Sequence, residues 1–261
     1  MKRTLLNTLP DALPSEVRKI IDRGRIWDSS CSPEARVYYL EADGGYYLKR
    51  AAAGTLLREG QMAEYFASRG LSPRLLGYYT NEYDWLLTER AAGEDCTHAQ
   101  YLSEPKRLAK LHGERLRALH ELSHADCPVQ NRLSEYLARA DENYRTGNYD
   151  KSQFPDSFGY RSEEEARRVL DEGRHLLRAD TLIHGDYCLP NVMLDGWDKY
   201  TFIDLGASGV CDRHVDLFWG AWTLFFNLGT DEYRDIFFNA YGRDEIDENV
   251  LRVVAAAEVF G

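Results

Sequence analysis

Two short motifs constrain this chain more than anything else in it. The run His184-Gly185-Asp186-Tyr187-Cys188-Leu189-Pro190-Asn191 sets a carboxylate and an amide five positions apart. The run Phe202-Ile203-Asp204-Leu205-Gly206 adds a second carboxylate 18 residues after Asp186. Thr181-Leu182-Ile183 is a β-type run that delivers the first motif. Val192-Met193-Leu194 and Tyr200-Thr201-Phe202-Ile203 read as strands joined by a turn at Asp195-Gly196-Trp197-Asp198. Such a hairpin is expected to bring Asn191 and Asp204 to one end, where a single cation meets both. His-Gly-Asp alone occurs by chance, and Asp–Gly pairs are often simple turns. Specificity comes from both motifs standing in this order on this local structure.

The residue types suit phosphoryl transfer. Asp186 can accept the proton of an attacking hydroxyl. Asn191 and Asp204 can hold Mg²⁺ against the phosphates of ATP. Mg²⁺ takes a few oxygen ligands and keeps several waters, so two protein donors suffice.

The rest of the chain predicts an α+β architecture. Ser15 to Arg23 reads as a helix capped by Ser15. Strands are expected at Arg25–Ser30, Arg36–Glu41, Gly45–Arg50, Leu75–Tyr79 and Trp85–Thr88, with a helix over Leu56–Ser68 after the third. After Gly93 the pattern turns helical, over 104–123, 130–146 and 162–178, then near 213–227, 230–241 and 246–259. Two domains are expected: a nucleotide-binding lobe over 1–90, and a catalytic and acceptor-binding lobe over 91–261.

Residues 184–194 and 202–216 resemble the two central motifs of the aminoglycoside 3′-phosphotransferases, within the kinase-like antibiotic phosphotransferases. Leu119-His120-Glu121-Leu122, Asp126-Cys127-Pro128, Ala240-Tyr241-Gly242 and Glu258-Val259-Phe260 extend the similarity over nearly the whole chain. The resemblance implies a bilobed protein-kinase-like fold, with a small antiparallel sheet plus helix and a larger helical lobe. It implies that Asp186 is the catalytic base, that Asn191 and Asp204 are the metal ligands, and that Asp216 braces the catalytic loop. Lys49 would contact the α- and β-phosphates, held by Glu59, with Glu64 on the same helix as the alternative. Ser32, in a phosphate loop without G-x-G-x-x-G, would approach the terminal phosphates through nearby N–H groups. Backbone groups of Glu89 and Ala91 would bond the base of ATP, or of GTP, and Tyr47 would stack on it. Taken alone, Lys49 reads as a strand-end surface lysine and Tyr47 as ordinary packing; the catalytic motif gives them these roles.

Only 11 residues separate Asp204 from Asp216, with no Ala-Pro-Glu closing motif, so no peptide platform fits and the acceptor is a small hydroxyl compound. By resemblance it is a cationic aminoglycoside, phosphorylated at its 3′-hydroxyl and so made harmless as an antibiotic. Carboxylates would meet its ammonium groups: Asp186, Glu258, and some of Asp141, Glu142, Asp150 and Asp156. The pattern also departs from the family. Ala207 replaces an Arg, Ala257 replaces the first terminal acid, and Phe226 and Asn227 replace an acidic pair. These departures admit a related kinase for a macrolide, an amino alcohol or a sugar. A catalytically silent binding protein fits poorly, since Lys49, Asp186, Asn191 and Asp204 are all present.

A net charge of −11 argues against nucleic acid, whose phosphates demand a basic surface. No run of 18 apolar residues exists, so no membrane span is expected, and Pro10, Asp11 and Pro14 break the first apolar run too early for a signal peptide. Five scattered cysteines without paired spacing suggest the reducing cytoplasm. His120, His124 and Cys127 lie close in sequence but lack a fourth ligand for zinc. No obligate protein partner is inferred.

Overall fold

A computed structural model describes residues 3–21, 24–30, 35–150 and 159–261. Ser32 and Asp156 lie outside the described residues. In chain order the elements are β1 (Thr4–Leu5), α1 (Ser15–Ile21), β2 (Arg25–Asp28), β3 (Arg36–Glu41), β4 (Tyr46–Ala52), α2 (Leu57–Ala67), β5 (Leu75–Thr80) and β6 (Tyr83–Glu89). Then come β7 (Glu94–Asp95), α3 (Ala99–Leu102), α4 (Pro105–His120), α5 (Arg132–Thr146) and α6 (Glu163–Gly173). The last part holds β8 (Thr181–Ile183), β9 (Val192–Asp195), β10 (Lys199–Phe202), β11 (Gly209–Cys211), α7 (His214–Leu228), α8 (Arg234–Tyr241) and α9 (Glu248–Glu258).

These elements form two compact units. Residues 1–94 and 193–206 make the first, and residues 95–192 and 207–261 make the second. In the first unit, six strands form an antiparallel sheet in the order β1-β2-β3-β4-β6-β5. Side chains alternate across it. Leu48, Trp85 and Leu87 bury one face together with Val17 and Ile21 of α1. Tyr47, Lys49 and Leu86 take the other face. There α2 packs closely, because Gly60 would bring a Cβ to 3.3 Å from Leu86. The segment 193–206 joins this unit through the Phe202 N–H, which donates to the Leu71 carbonyl at 2.7 Å, and through the Phe66–Phe202 ring contact. Two local expectations change. Ser15 opens α1 from inside the helix, and its hydroxyl donates to Glu16 at 3.1 Å instead of capping a backbone N–H. β1 has two residues, too few to show a period, and exists through its pairing with Trp27 and Asp28.

The second unit is mainly helical. α6, α7 and α9 share a core of Ala166, Leu170, Val215, Val253, Val254 and Phe260. α4 packs against α8 where Gly113 lets the backbone approach; a Cβ there would lie 2.3 Å from the Phe237 carbonyl oxygen. β8 pairs antiparallel with β11, Ile183 opposite Gly209, and this two-stranded ribbon leads into the loop over 184–191. Among the described residues, no helix is long and apolar enough to cross a membrane.

Candidate active site

In the first unit a cation is fixed between two acids. Lys49 sits on the β4 face that looks at α2, so its ammonium meets Glu59 in the first turn of that helix, at 2.9 and 2.8 Å from the two carboxylate oxygens. The same nitrogen lies 2.7 Å from Asp204 Oδ1. Burial works to lower the Lys49 pKa, but the charges and hydrogen bonds of Glu59 and Asp204 outweigh it and hold the ammonium above its ordinary value. Lys49 therefore remains a fixed positive charge. Glu59, and not Glu64, is its partner. Asp204 follows β10 with φ +60°, a left-handed conformation that Asp tolerates better than most residues. Its side chain is half exposed, and Lys49 engages Oδ1.

Tyr47 lies two residues before Lys49 on the same face. Its hydroxyl accepts from Arg3 at 2.7 Å, and its ring tilts against Tyr39 at 5.4 Å between centroids. The Glu89 N–H donates to the Arg74 carbonyl at 3.0 Å, and its carboxylate pairs with the Arg74 guanidinium at 2.6 Å. What Glu89 has left to offer a base is its carbonyl oxygen. Ala91 follows, buried.

In the second unit the loop over 184–191 is held by its backbone. The His184 and Gly185 N–H groups each donate to one oxygen of Asp216, both at 2.7 Å, and His120 Nε2 adds a bond at 3.1 Å. Asp216 is fully buried, so these bonds are what satisfy it. His120 also contacts the Tyr241 hydroxyl at 2.9 Å, and His124 bonds the Asp180 carbonyl at 2.9 Å. These histidines are structural, and among the described residues no group of three His, Cys, Asp or Glu side chains can hold a metal. Gly185 has φ +85°, and a Cβ there would lie 2.1 Å from the Ala207 carbonyl oxygen, so no other residue fits the turn.

Asp186 emerges from that turn. The Asn191 side-chain nitrogen donates to Asp186 Oδ2 at 2.8 Å and to its carbonyl oxygen at 3.0 Å. With the amide nitrogen spent, the Asn191 carbonyl oxygen is the atom it can give a cation. The Cys188 N–H closes the loop on the Asp186 carbonyl at 2.8 Å. Burial and the Asp186 charge raise the Cys188 pKa and keep it a thiol, which removes it as a nucleophile.

Glu258, at the end of α9, accepts from the Tyr136 hydroxyl at 2.8 Å and lies beside the Trp219 indole. Burial pushes its pKa up to about 7; Tyr136, Trp219 and the charge of Arg132 oppose this, and the charge of Asp186 adds to it. Asp186 and Glu258 therefore feel each other within this unit. Tyr136, Trp219 and Arg132 carry no signal in the sequence; more than 100 residues separate Tyr136 from the acid it bonds. Two other candidate acids are occupied. Asp141 sits between Arg167 and Arg174, each at 2.7 Å, and Glu142 pairs with Arg145 at 2.6 Å. Ala257 is fully buried, Asn227 bonds the Thr223 carbonyl, and Phe226 is 67% exposed.

Residues 33–253 match the phosphotransferase enzyme family. A probable aminoglycoside 3′-phosphotransferase of Lactococcus lactis subsp. lactis (strain IL1403) is 45% identical, over 96% of each chain. Among solved structures, an aminoglycoside 3′-phosphotransferase of type VIII is 26% identical with a TM-score of 0.72, covering 89% of this chain and 92% of that one. An aminoglycoside phosphotransferase of Streptomyces rimosus, in complex with ADP and streptomycin, shares the fold at 22% identity and a TM-score of 0.70, covering 86% of this chain and 90% of that one.

Proposed function

The chain belongs to the phosphotransferase enzyme family, among the aminoglycoside 3′-phosphotransferases, and from that premise we propose that it transfers the γ-phosphoryl of ATP to the 3′-hydroxyl of an aminoglycoside. The observation that carries this reading is Asp186, oriented by Asn191 at 2.8 Å, in the same unit as Glu258. One carboxylate, oriented by Asn191, suits the proton of a hydroxyl; the other, within its electrostatic reach, suits an ammonium group of the same acceptor.

In this reading Lys49, fixed by Glu59, binds the α- and β-phosphates. Glu89, Ala91 and Tyr47 take the base, and Ser32 belongs to the phosphate loop. Asp186 takes the proton from the 3′-hydroxyl as the new O–P bond forms, and the β–γ bridging oxygen leaves with ADP. Asn191 supplies an amide oxygen and Asp204 a carboxylate, a hard and sparse donor set of the kind Mg²⁺ accepts. Mg²⁺, when bound, neutralises charge on the phosphates. The four described cysteines are all free thiols, which supports the cytoplasm as the site of action.

A second reading, a kinase for a macrolide, an amino alcohol or a sugar, draws on Asp141 and Glu142 being tied to arginines and on an exposed Phe226. A panel of these acceptors, with kanamycin- and neomycin-like compounds, in an ATP-consumption assay decides between them. Expression in a sensitive bacterium should confer kanamycin resistance. No resistance, with no turnover of any 3′-hydroxyl aminoglycoside in vitro, would overturn the first reading.

A further inference from the structure

An aromatic ladder leads away from Glu258 along α7. Trp219 lies beside Glu258 and meets Trp222 edge-on at 5.4 Å, and Trp222 stacks on Phe226 at 4.9 Å with ring planes 12° apart. The next turns of α7 and α9 open into a cavity of about 540 Å³. Phe218, Ala221, Trp222 and Phe225 form one wall, and Leu251 and Ala255 of α9 face them. Ala255 stands one helical turn before Glu258, so α9 carries the cavity wall and that acid on adjacent turns of one helix. Its size falls in the range, roughly 300–1,000 Å³, of pockets that hold small organic ligands.

Two properties tell what fits. Large apolar side chains stand open here: Phe225 is 46% exposed and Phe226 67%, a patch of the kind that marks a binding surface. The mouth carries Asp231 and Glu248 against Arg234 and Arg252, two charges of each sign, and Arg234 pairs with Glu248 at 3.6 Å. A mouth without net charge does not select another ammonium group. It selects an apolar body framed by polar edges.

We propose that the α7–α9 groove is an acceptor subsite for an apolar or aromatic substituent, so that this enzyme favours amphiphilic acceptors: an amino-sugar ring at Asp186 and Glu258, and a flat hydrophobic group on Trp222 and Phe225. The proposal rests on the acceptor-binding role given to Glu258 above. It makes Trp222 and Ala255 specificity-determining positions.

The test uses a matched pair of aminoglycosides, one bearing an N-linked naphthylmethyl group on a ring remote from the 3′-hydroxyl and one without it. KM is measured by ATP consumption, and Kd by calorimetry on the full chain. The substituted compound should show KM and Kd at least tenfold lower than its parent. Ala255→Leu, which fills the groove, should cancel that advantage. Trp222→Leu should reduce it and Trp222→Phe should retain most of it, which guards against one variant failing to fold. Equal constants for the pair, an advantage that survives both Ala255→Leu and Trp222→Leu, or no binding of either compound would overturn the proposal. Tighter binding of the substituted compound that Ala255→Leu cancels, without phosphorylation of either, would leave the groove standing and overturn the kinase reading instead.

Discussion

The Asn191 side-chain nitrogen donates to Asp186 Oδ2 at 2.8 Å. One contact thereby orients the proposed base and leaves the amide oxygen as the atom Asn191 would offer the proposed cation. Asn191 can serve both proposed roles because an amide carries donors on one end and an acceptor on the other.

Asp186→Asn should remove nearly all turnover and leave nucleotide binding largely intact, because the change deletes a proton acceptor without altering size. General base catalysis contributes about 10²–10⁴-fold. Steady-state kinetics, with nucleotide Kd from calorimetry, checks this. A variant keeping more than about a tenth of wild-type kcat, a loss under about 1.4 kcal/mol, would refute the assignment.

Asp204→Asn should weaken Mg²⁺ and lower kcat together, since the site loses an anionic ligand and Lys49 loses one of its two partners. Titrating activity against Mg²⁺ should show a half-saturation shifted at least tenfold upward. An unchanged Mg²⁺ curve would remove Asp204 from the metal site.

Asp216→Asn should cost stability and activity at once. Its two oxygens accept the His184 and Gly185 N–H groups, and Asn offers one acceptor where two are needed. One buried donor is left unsatisfied, at about 1–3 kcal/mol. Urea unfolding should show the loss, and kcat should fall because the turn carrying Asp186 loosens. A fully stable variant with wild-type kcat would contradict the bracing role.

Glu258 implies a pH signature. Its folded pKa, about 7, lies above the ordinary 4.5, so between those values the native chain holds a proton that the unfolded chain has lost. Stability should therefore fall as pH rises through this window, by roughly 3 kcal/mol at 1.36 kcal/mol per unit. Glu258→Gln should flatten that slope in urea unfolding between pH 4.5 and 7. A cationic acceptor prefers the ionised form, so acceptor KM should fall as pH rises through about 7 in the wild type and not in the variant. Glu258→Gln should also raise KM more than it lowers kcat, the mark of a contact made before the chemical step. An identical pH dependence in both proteins would separate Glu258 from the acceptor.

The five main strands of the first sheet and the long helices of the second unit were legible because local periodicity creates them. Tyr47 and Lys49 fall on one face and Leu48 on the other by simple alternation. β1 was not legible, since two residues carry no period. The choice of Glu59 over Glu64 needed α2 laid on its sheet, which decides which turn of the helix meets Lys49.

The sequence by itself determined the chemistry. Asp186, Asn191 and Asp204 stand in short motifs whose spacing and residue types suit phosphoryl transfer, and such signals are local. Only the tertiary structure decided the surroundings of the candidate acceptor carboxylates. Asp141 and Glu142 fill the same role on paper, yet arginines neutralise them in the folded chain. Glu258 instead lies against Tyr136 and Trp219, which are far from it in sequence, and is half-buried beside an aromatic groove. The reason is physical. A side chain's charge state and reach depend on desolvation and on partners that packing delivers from distant positions, and no local pattern encodes either.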